Sequence, residues 1–257
     1  MSLKINEFVS FANLLADSAS ITSMKYFRKK LNIENKNDES PVTIADKETE
    51  QIIRDEIRKK FPNHGILGEE YENENLDSEF IWVIDPIDGT RSFMAGHKDF
   101  GNLIALLHKN KPVLGIINCP AHNERWIGIK DKKTKCNGKD IKTSAIQKIK
   151  DAYLFTSGLY FDEPQIKKGL ESLKKRSRYY RFGGDCYMYG MLASGLIDIV
   201  LEDTLKAHDY MALINVIEGA GGVITDKFGE DISLDSDGSL VASSTKNLHD
   251  EIIKLLN

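Results

Sequence analysis

At 257 residues, 41% hydrophobic and 29% charged, the chain is long enough for one large core or two ordinary ones. Its net charge of −4 gives no electrostatic footprint for nucleic acid, and no apolar run nears bilayer-spanning length, so neither nucleic acid nor membrane is expected as a partner. Three widely spaced cysteines, Cys119, Cys136 and Cys186, form no CxxC pair, which argues against a zinc site or a disulfide framework. With no apolar signal core after Met1, the reading is reduced thiols in a cytoplasmic protein.

Ile5, Phe8, Val9, Ala12, Leu15, Ala16 and Ala19 recur at helical spacing and predict a first helix reaching about Lys30. The polar stretch from Asn32 to Ser40 reads as a mobile loop. A second helix is predicted from Thr43 to just before Pro62, striped by Ile44, Ile52, Ile53 and Ile57. Thr43-Ile44-Ala45-Asp46 resembles a capping box, which by itself gives Asp46 a structural role. Gly65-Ile66-Leu67-Gly68 is a short apolar segment, followed at once by Glu69-Glu70 and then by an acidic surface loop from Glu72 to Glu79.

Phe80-Ile81-Trp82-Val83-Ile84 then reads as a strand buried on both faces, with Pro86 and Gly89 expected to stop it. Such a strand delivers Asp85 and Asp88 to its carboxyl end beside a glycine turn and Thr90. Oxygen ligands on a rigid scaffold next to free backbone N–H groups suit a hard cation and a phosphate. The competing reading is a turn in which both aspartates merely cap local N–H groups.

After a helical turn through Phe93, the runs Leu103–Leu107, Val113–Ile117 and Trp126–Ile129 predict an antiparallel meander, closed by the Asn137-Gly138 turn. From about residue 142, strands and helices alternate to the end. Strands are predicted at Ala152–Thr156, Tyr179–Phe182, Ile197–Leu201, Gly222–Thr225 and Leu240–Ala242. Helices are predicted at Pro164–Lys174, after Gly183-Gly184, at Asp209–Ala220 and at Leu248–Leu256. Two sub-domains are expected, 1–142 carrying most of the acidic positions and 143–257 carrying Asp209.

Glu69 with Glu70, Asp85 with Asp88, Asp46 and Asp209 all sit where a strand or turn meets a helix. Brought together without cations, their like charges would raise several pKa values and strain the fold; magnesium would remove that conflict. Sequence physics alone does not establish that they converge.

Asp85-Pro86-Ile87-Asp88-Gly89-Thr90 resembles the signature of the inositol monophosphatase family of magnesium-dependent phosphomonoesterases. The companion blocks stand in order: Val42-Thr43-Ile44-Ala45-Asp46, Gly68-Glu69-Glu70, His208-Asp209 and Gly219-Ala220-Gly221-Gly222. Arg181-Phe182-Gly183-Gly184-Asp185-Cys186-Tyr187 with Glu202-Asp203-Thr204-Leu205 looks like the histidinol-phosphate phosphatase branch. His208 departs from the tryptophan usual before the second-motif aspartate.

The resemblance implies an α+β/α/β layered sandwich of alternating α-β-α-β-α layers. It implies two to three Mg2+ ions: Glu69, Asp85 and the carbonyl of Ile87 for one, Asp85, Asp88 and Asp209 for a second, and Glu70 acting through water on a third. Asp46 and Thr90 would orient and deprotonate the attacking water, and the Gly89 and Thr90 N–H groups would receive the phosphate. Asp185 and Glu202 are the candidates for substrate choice, since histidinol phosphate carries an ammonium group and an imidazole. For Asp185 the competing reading is a helix N-cap. The expected partner is a small phosphorylated metabolite, most simply histidinol phosphate of histidine biosynthesis. Inositol 1-phosphate or a 3'(2'),5'-bisphosphate nucleotide is the alternative, and a non-catalytic binding module a different class. Lithium inhibition and a homodimer, with the Leu103–Ile129 meander as a possible interface, are also implied.

Overall fold

The computed structural model describes residues 2–30, 33–35, 41–158 and 161–257. In chain order, the first half holds α1 (Ser2–Tyr26), β1 (Ile33–Asn35), β2 (Pro41–Thr43), α2 (Ile44–Lys60), β3 (Gly65–Leu67), β4 (Phe80–Asp88) and α3 (Thr90–Met94). There follow β5 (Gly101–His108), β6 (Lys111–Cys119), β7 (Glu124–Ile129), β8 (Lys135–Cys136) and β9 (Lys139–Asp140). The second half holds β10 (Tyr153–Thr156), α4 (Pro164–Arg176), β11 (Tyr179–Phe182), α5 (Asp185–Ala193) and β12 (Ile199–Glu202). It closes with α6 (Ala207–Gly219), β13 (Val223–Thr225), β14 (Leu240–Ser243) and α7 (Lys246–Leu256).

Two sheets carry the fold. β3 to β9 form a seven-stranded sheet in sequence order, and a five-stranded sheet runs β11-β10-β12-β14-β13. The apolar residues sort by strand parity onto its two faces. Trp82, Ile84, Ile104, Leu106, Leu114 and Ile116 meet α1 and α2 on one face of the first sheet. Ile81, Val83, Leu103, Ala105 and Ile117 meet α5 and α6 on the other, together with Phe155, Val200 and Ala242 from the second sheet. Leu154, Ile199, Leu201 and Val241 then cover α4 and α7 on the outside. The layers are therefore α-β-α-β-α, as expected. Burying Ile81, Val83 and Ile84 of β4 stabilises by about 1.5–3 kcal/mol each, which holds the carboxyl end of this strand rigid.

α6 lies unusually close to the first sheet. A Cβ on Gly115 would stand 2.0 Å from the Ala212 carbonyl oxygen, and one on Gly128 would stand 2.2 Å from Asn215 backbone. These two glycines let α6 sink onto β6 and β7, and so fix where Asp209 in its first turn points.

Several local expectations need correction. α1 stops at Tyr26 rather than near Lys30, because Arg28 turns left-handed (φ 59°) and donates Nε to the Gly96 carbonyl at 3.0 Å. Within the stretch expected to be a loop, Ile33–Asn35 pairs antiparallel with Pro41–Thr43; Asn32 and residues 36–40 lie outside the described residues. Pro86 does not stop β4. Pairing with β5 continues to Asp88↔Gly101 across a bulge between Asp85 and Asp88. Proline sits in that bulge, where its missing N–H costs no ladder bond. Glu74 is more than a surface residue of an acidic loop, since Arg54 and Arg58 both bind it. In the meander, helices of the same chain cover both faces of β5 and β6.

Candidate active site

Thr43 caps α2, and the reciprocal box is present: Ala45 N–H donates to Thr43 Oγ1 at 3.1 Å, and Asp46 Oδ2 accepts from the Thr43 N–H at 2.8 Å and its hydroxyl at 2.6 Å. That leaves Asp46 Oδ1 for Thr90, whose hydroxyl lies 3.2 Å away. The helix cap and the contact with Thr90 thus use different oxygens of one carboxylate.

β4 delivers the next group. Asp85, Asp88 and Asp209 offer oxygens that all lie within 4.8 Å of one another. Asp85 is 1% exposed, and its Oδ1 is buried with no hydrogen-bond partner. Asp88 Oδ2 accepts the Cys186 N–H of α5 at 2.6 Å, and Asp209 Oδ2 accepts the Lys206 N–H at 2.7 Å. His208 Nε2 stands 3.5 Å from Asp209 Oδ1, so the residue replacing the usual tryptophan faces the carboxylate directly. Burial pushes the Asp85 carboxyl well above its ordinary value, and Glu69, Asp88, Asp209 and Asp46 push it the same way. Asp88 is likewise raised by burial, then by Asp185 and Asp209. Asp209 is raised by burial, opposed first by His208. Three converging carboxyls, one with an oxygen buried and orphaned, form a donor set suited to a hard divalent cation.

These groups open into a cleft of about 360 Å³ lined in part by Glu69, Asp88, Gly89, Thr90, Ser92, Asp185, Glu202 and Asp209. Asp46 and Asp85 are buried. The Ile87 carbonyl accepts from the Thr90 hydroxyl at 3.1 Å. Gly89, left-handed at φ 79°, precedes α3 and turns the chain from strand into the cleft wall. Glu70, expected to act through water, is not among the lining residues; its N–H is held by Glu50 at 2.7 Å.

Asp185 is not the N-cap of α5. Gly184 takes that position, and Asp185, at the unusual φ of 41°, accepts from the Ser92 hydroxyl at 2.5 Å. Its pKa is raised by burial, against the Ser92 bond. Glu202 lines the cleft although largely buried, accepts the Tyr189 hydroxyl at 2.7 Å and is pushed up to about 7 by burial. A second cleft of about 400 Å³ adjoins this one through Arg91, Ser92 and Gly183, walled by Phe155, Phe182 and Tyr187. His97 lines it, and His122 stacks on Tyr187 at 4.0 Å while bonding Asp99.

Sequence reasoning missed Ser92, Tyr189, Asn102 and Glu50. Ser92 follows Thr90 by two residues, and that proximity is the one signal that points to it. The others carry no such signal. Asn102 donates Nδ2 to the Pro86 carbonyl at 2.6 Å and is held in turn by Asn118 at 2.7 Å, which fixes the bulge between the two β4 aspartates.

Residues 4–257 match the model of the inositol monophosphatase family. The chain belongs to that family. A solved member, an inositol monophosphatase from Zymomonas mobilis, superposes with a TM-score of 0.89 at 38% identity, covering 98% of each chain. Among curated relatives, the chloroplastic bifunctional phosphatase IMPL2 of Arabidopsis thaliana is 43% identical over 94% of this chain and 70% of its own length. A histidinol-phosphatase of Chlorobaculum parvum is 34% identical over 90% of each. The family makes the chain a phosphatase with the layered fold described above. No helix among the described residues is long and apolar enough to cross a membrane.

Proposed function

We propose that this chain is a magnesium-dependent phosphomonoesterase that hydrolyses histidinol phosphate to histidinol and phosphate. The observation that carries the metal part is the carboxylate triad with the orphaned Asp85 Oδ1. Asp85, Asp88 and Asp209, with Glu69 and the Ile87 carbonyl, would hold the ions. Magnesium, when bound, lowers the pKa of the attacking water and offsets charge on the phosphate and the leaving alkoxide.

The remaining steps belong to the chain. Thr90 Oγ1 has two acceptors for its hydrogen, Asp46 Oδ1 and the Ile87 carbonyl. Turned toward Asp46, it can take a proton from the attacking water while passing its own to Oδ1. Burial raises Asp46, which makes it the stronger base. Ser92 holds Asp185 in the cleft, where its carboxylate would meet the ammonium of histidinol phosphate. The activity in the name of the Chlorobaculum relative supports that substrate.

One observation favours a second reading. Glu202 at about 7 is partly protonated at neutral pH, and a carboxyl of that kind both donates to and accepts from neutral hydroxyls. That suits an inositol phosphate, the substrate class in the name of the Zymomonas neighbour. A bisphosphate nucleotide stays a third candidate in the assay, and a non-catalytic module is disfavoured because every acidic position of the triad is kept. Phosphate release is measured from histidinol phosphate, inositol 1-phosphate and an adenosine bisphosphate, each with and without magnesium. Turnover that favours histidinol phosphate and needs the metal is expected; preference for inositol phosphate selects the second reading, and no hydrolysis of any ester refutes the enzyme. A cytoplasmic homodimer completes the proposal, its contact drawn from Tyr179, Tyr180 and Phe182, exposed along the edge strand β11.

A further inference from the structure

Glu50 sits mid-way along α2 and is 0% exposed. Its carboxylate accepts three consecutive backbone N–H groups: Oε2 from Glu69 at 3.0 Å and Glu70 at 2.7 Å, Oε1 from Tyr71 at 3.3 Å. Oε1 also takes Arg54 Nε at 2.7 Å. Arg54, equally buried, directs its other N–H groups to the Tyr71 carbonyl (3.1 Å), the Glu72 carbonyl (2.9 Å) and Glu74 Oε1 (2.8 Å). The pair therefore grips the chain on both sides of the turn after β3. The acid holds N–H groups where the loop begins, and the guanidinium holds carbonyls where it ends. Contact is so close that a Cβ on Gly68 would lie 2.0 Å from Glu50 Oε1.

Stability alone is a poor reason for this arrangement. An exposed i,i+4 pair on a helix gives about 0.3–0.5 kcal/mol, and burying both charges recovers little more than their desolvation cost. What the pair does secure is the backbone of 69–71. Glu69 has to point into a cleft where Asp85, Asp46 and Asp209 all repel it. On a loose loop its side chain would relax into water. Three N–H groups fastened to one buried carboxylate remove that freedom before any cation arrives.

We propose that Glu50 is a positioning residue for the metal site, acting through the Glu69 backbone without entering the cleft. The proposal rests on the magnesium reading above. Glu50→Gln keeps the volume but has a single oxygen, and its NH2 would face the loop N–H groups. Manganese alone serves as the probe, its free fraction read by electron paramagnetic resonance on chelator-stripped protein. Glu50→Gln is expected to lower manganese affinity by roughly 10- to 100-fold, the range for groups that orient a ligand from outside the coordination sphere. The KM of the ester at saturating magnesium should change little, because the loop does not hold the alcohol.

The variant leaves buried Arg54 with Glu74 alone as its acid, so the double variant Glu50→Gln/Arg54→Met is measured beside it. Removing both charges should recover the thermal transition while manganese affinity stays low; affinity that recovers with stability overturns the proposal. Manganese binding by folded Glu50→Gln as tight as that of wild type overturns it equally. Wild-type protein that takes up no manganese at millimolar metal would instead bring down the metal reading, and this proposal with it.

Discussion

Asp85→Asn is expected to stabilise the metal-free protein near neutral pH and to abolish its thermal response to magnesium. Asp85 is 1% exposed and shares a 4.8 Å cluster with Asp88 and Asp209. Two unit charges at that 4.8 Å separation repel by about 3.5 kcal/mol at an effective dielectric of ~20. Protonation caps the cost. Burial and the neighbouring carboxylates push the Asp85 carboxyl well above its ordinary value, so protonation relieves part of that repulsion. An amide removes that cost but brings an NH2 without an acceptor, at about 1–3 kcal/mol. The net gain is then at most about 2.5 kcal/mol, which for a chain of this size raises the melting temperature by up to roughly 10 °C.

The pH dependence has a definite sign. Asp85, Asp88, Asp209 and Glu202 all have raised values in the folded state, Glu202 at about 7. Between the ordinary carboxylate range and those raised values, the native state holds more protons than the unfolded chain. Metal-free wild type therefore loses stability as pH rises through that window, and the variant loses less. Calorimetry on chelated protein at about pH 5 and about pH 7.5, with and without magnesium, tests this. A variant less stable than wild type at the higher pH without metal, or one still stabilised by magnesium, would refute the reasoning.

Three further outcomes follow from the same geometry. Thr90→Val removes the hydroxyl proposed to relay the water's proton to Asp46 and should lower kcat by about 10²–10⁴ with KM little changed, as steady-state kinetics will read; a loss confined to KM would remove Thr90 from proton transfer. Asp185→Asn should reduce kcat/KM for histidinol phosphate at least about tenfold more than for a generic phosphomonoester, and equal losses on both would end its role in substrate choice. Asn102→Ala frees the Pro86 carbonyl and takes one acceptor from Asn118 Nδ2, which keeps Ser20 Oγ. We expect a loss of about 1–3 kcal/mol in denaturant unfolding and a higher magnesium requirement; unchanged magnesium dependence would make Asn102 purely structural.

What the sequence determined by itself is local chemistry. The parity of Ile81, Trp82, Val83 and Ile84 predicts a strand covered on both faces, and the 3.6-residue stripe of Ile53 and Ile57 a helix packed beneath it. The acidic blocks around Asp46, Glu69, Asp85 and Asp209 name the reaction class only through their resemblance to the family's motifs. The strand and the helix are short-range patterns that one element reports about itself.

Tertiary structure decided what depends on two distant segments meeting. Whether Asp46 caps a helix or serves Thr90 was undecidable from residues 43–46, because the answer lies in Oδ1 reaching across to residue 90. Pro86 was expected to end β4, yet Asn102 on the neighbouring strand supports its carbonyl and lets the pairing run on to Asp88. Glu50 and Arg54 look in sequence like an ordinary i,i+4 pair on a solvated helix; only the loop folded over them, with Gly68 at closest approach, makes them a buried clamp. A one-dimensional pattern reports propensity and periodicity. Which oxygen of a carboxylate remains free is set by the groups that other elements bring to it.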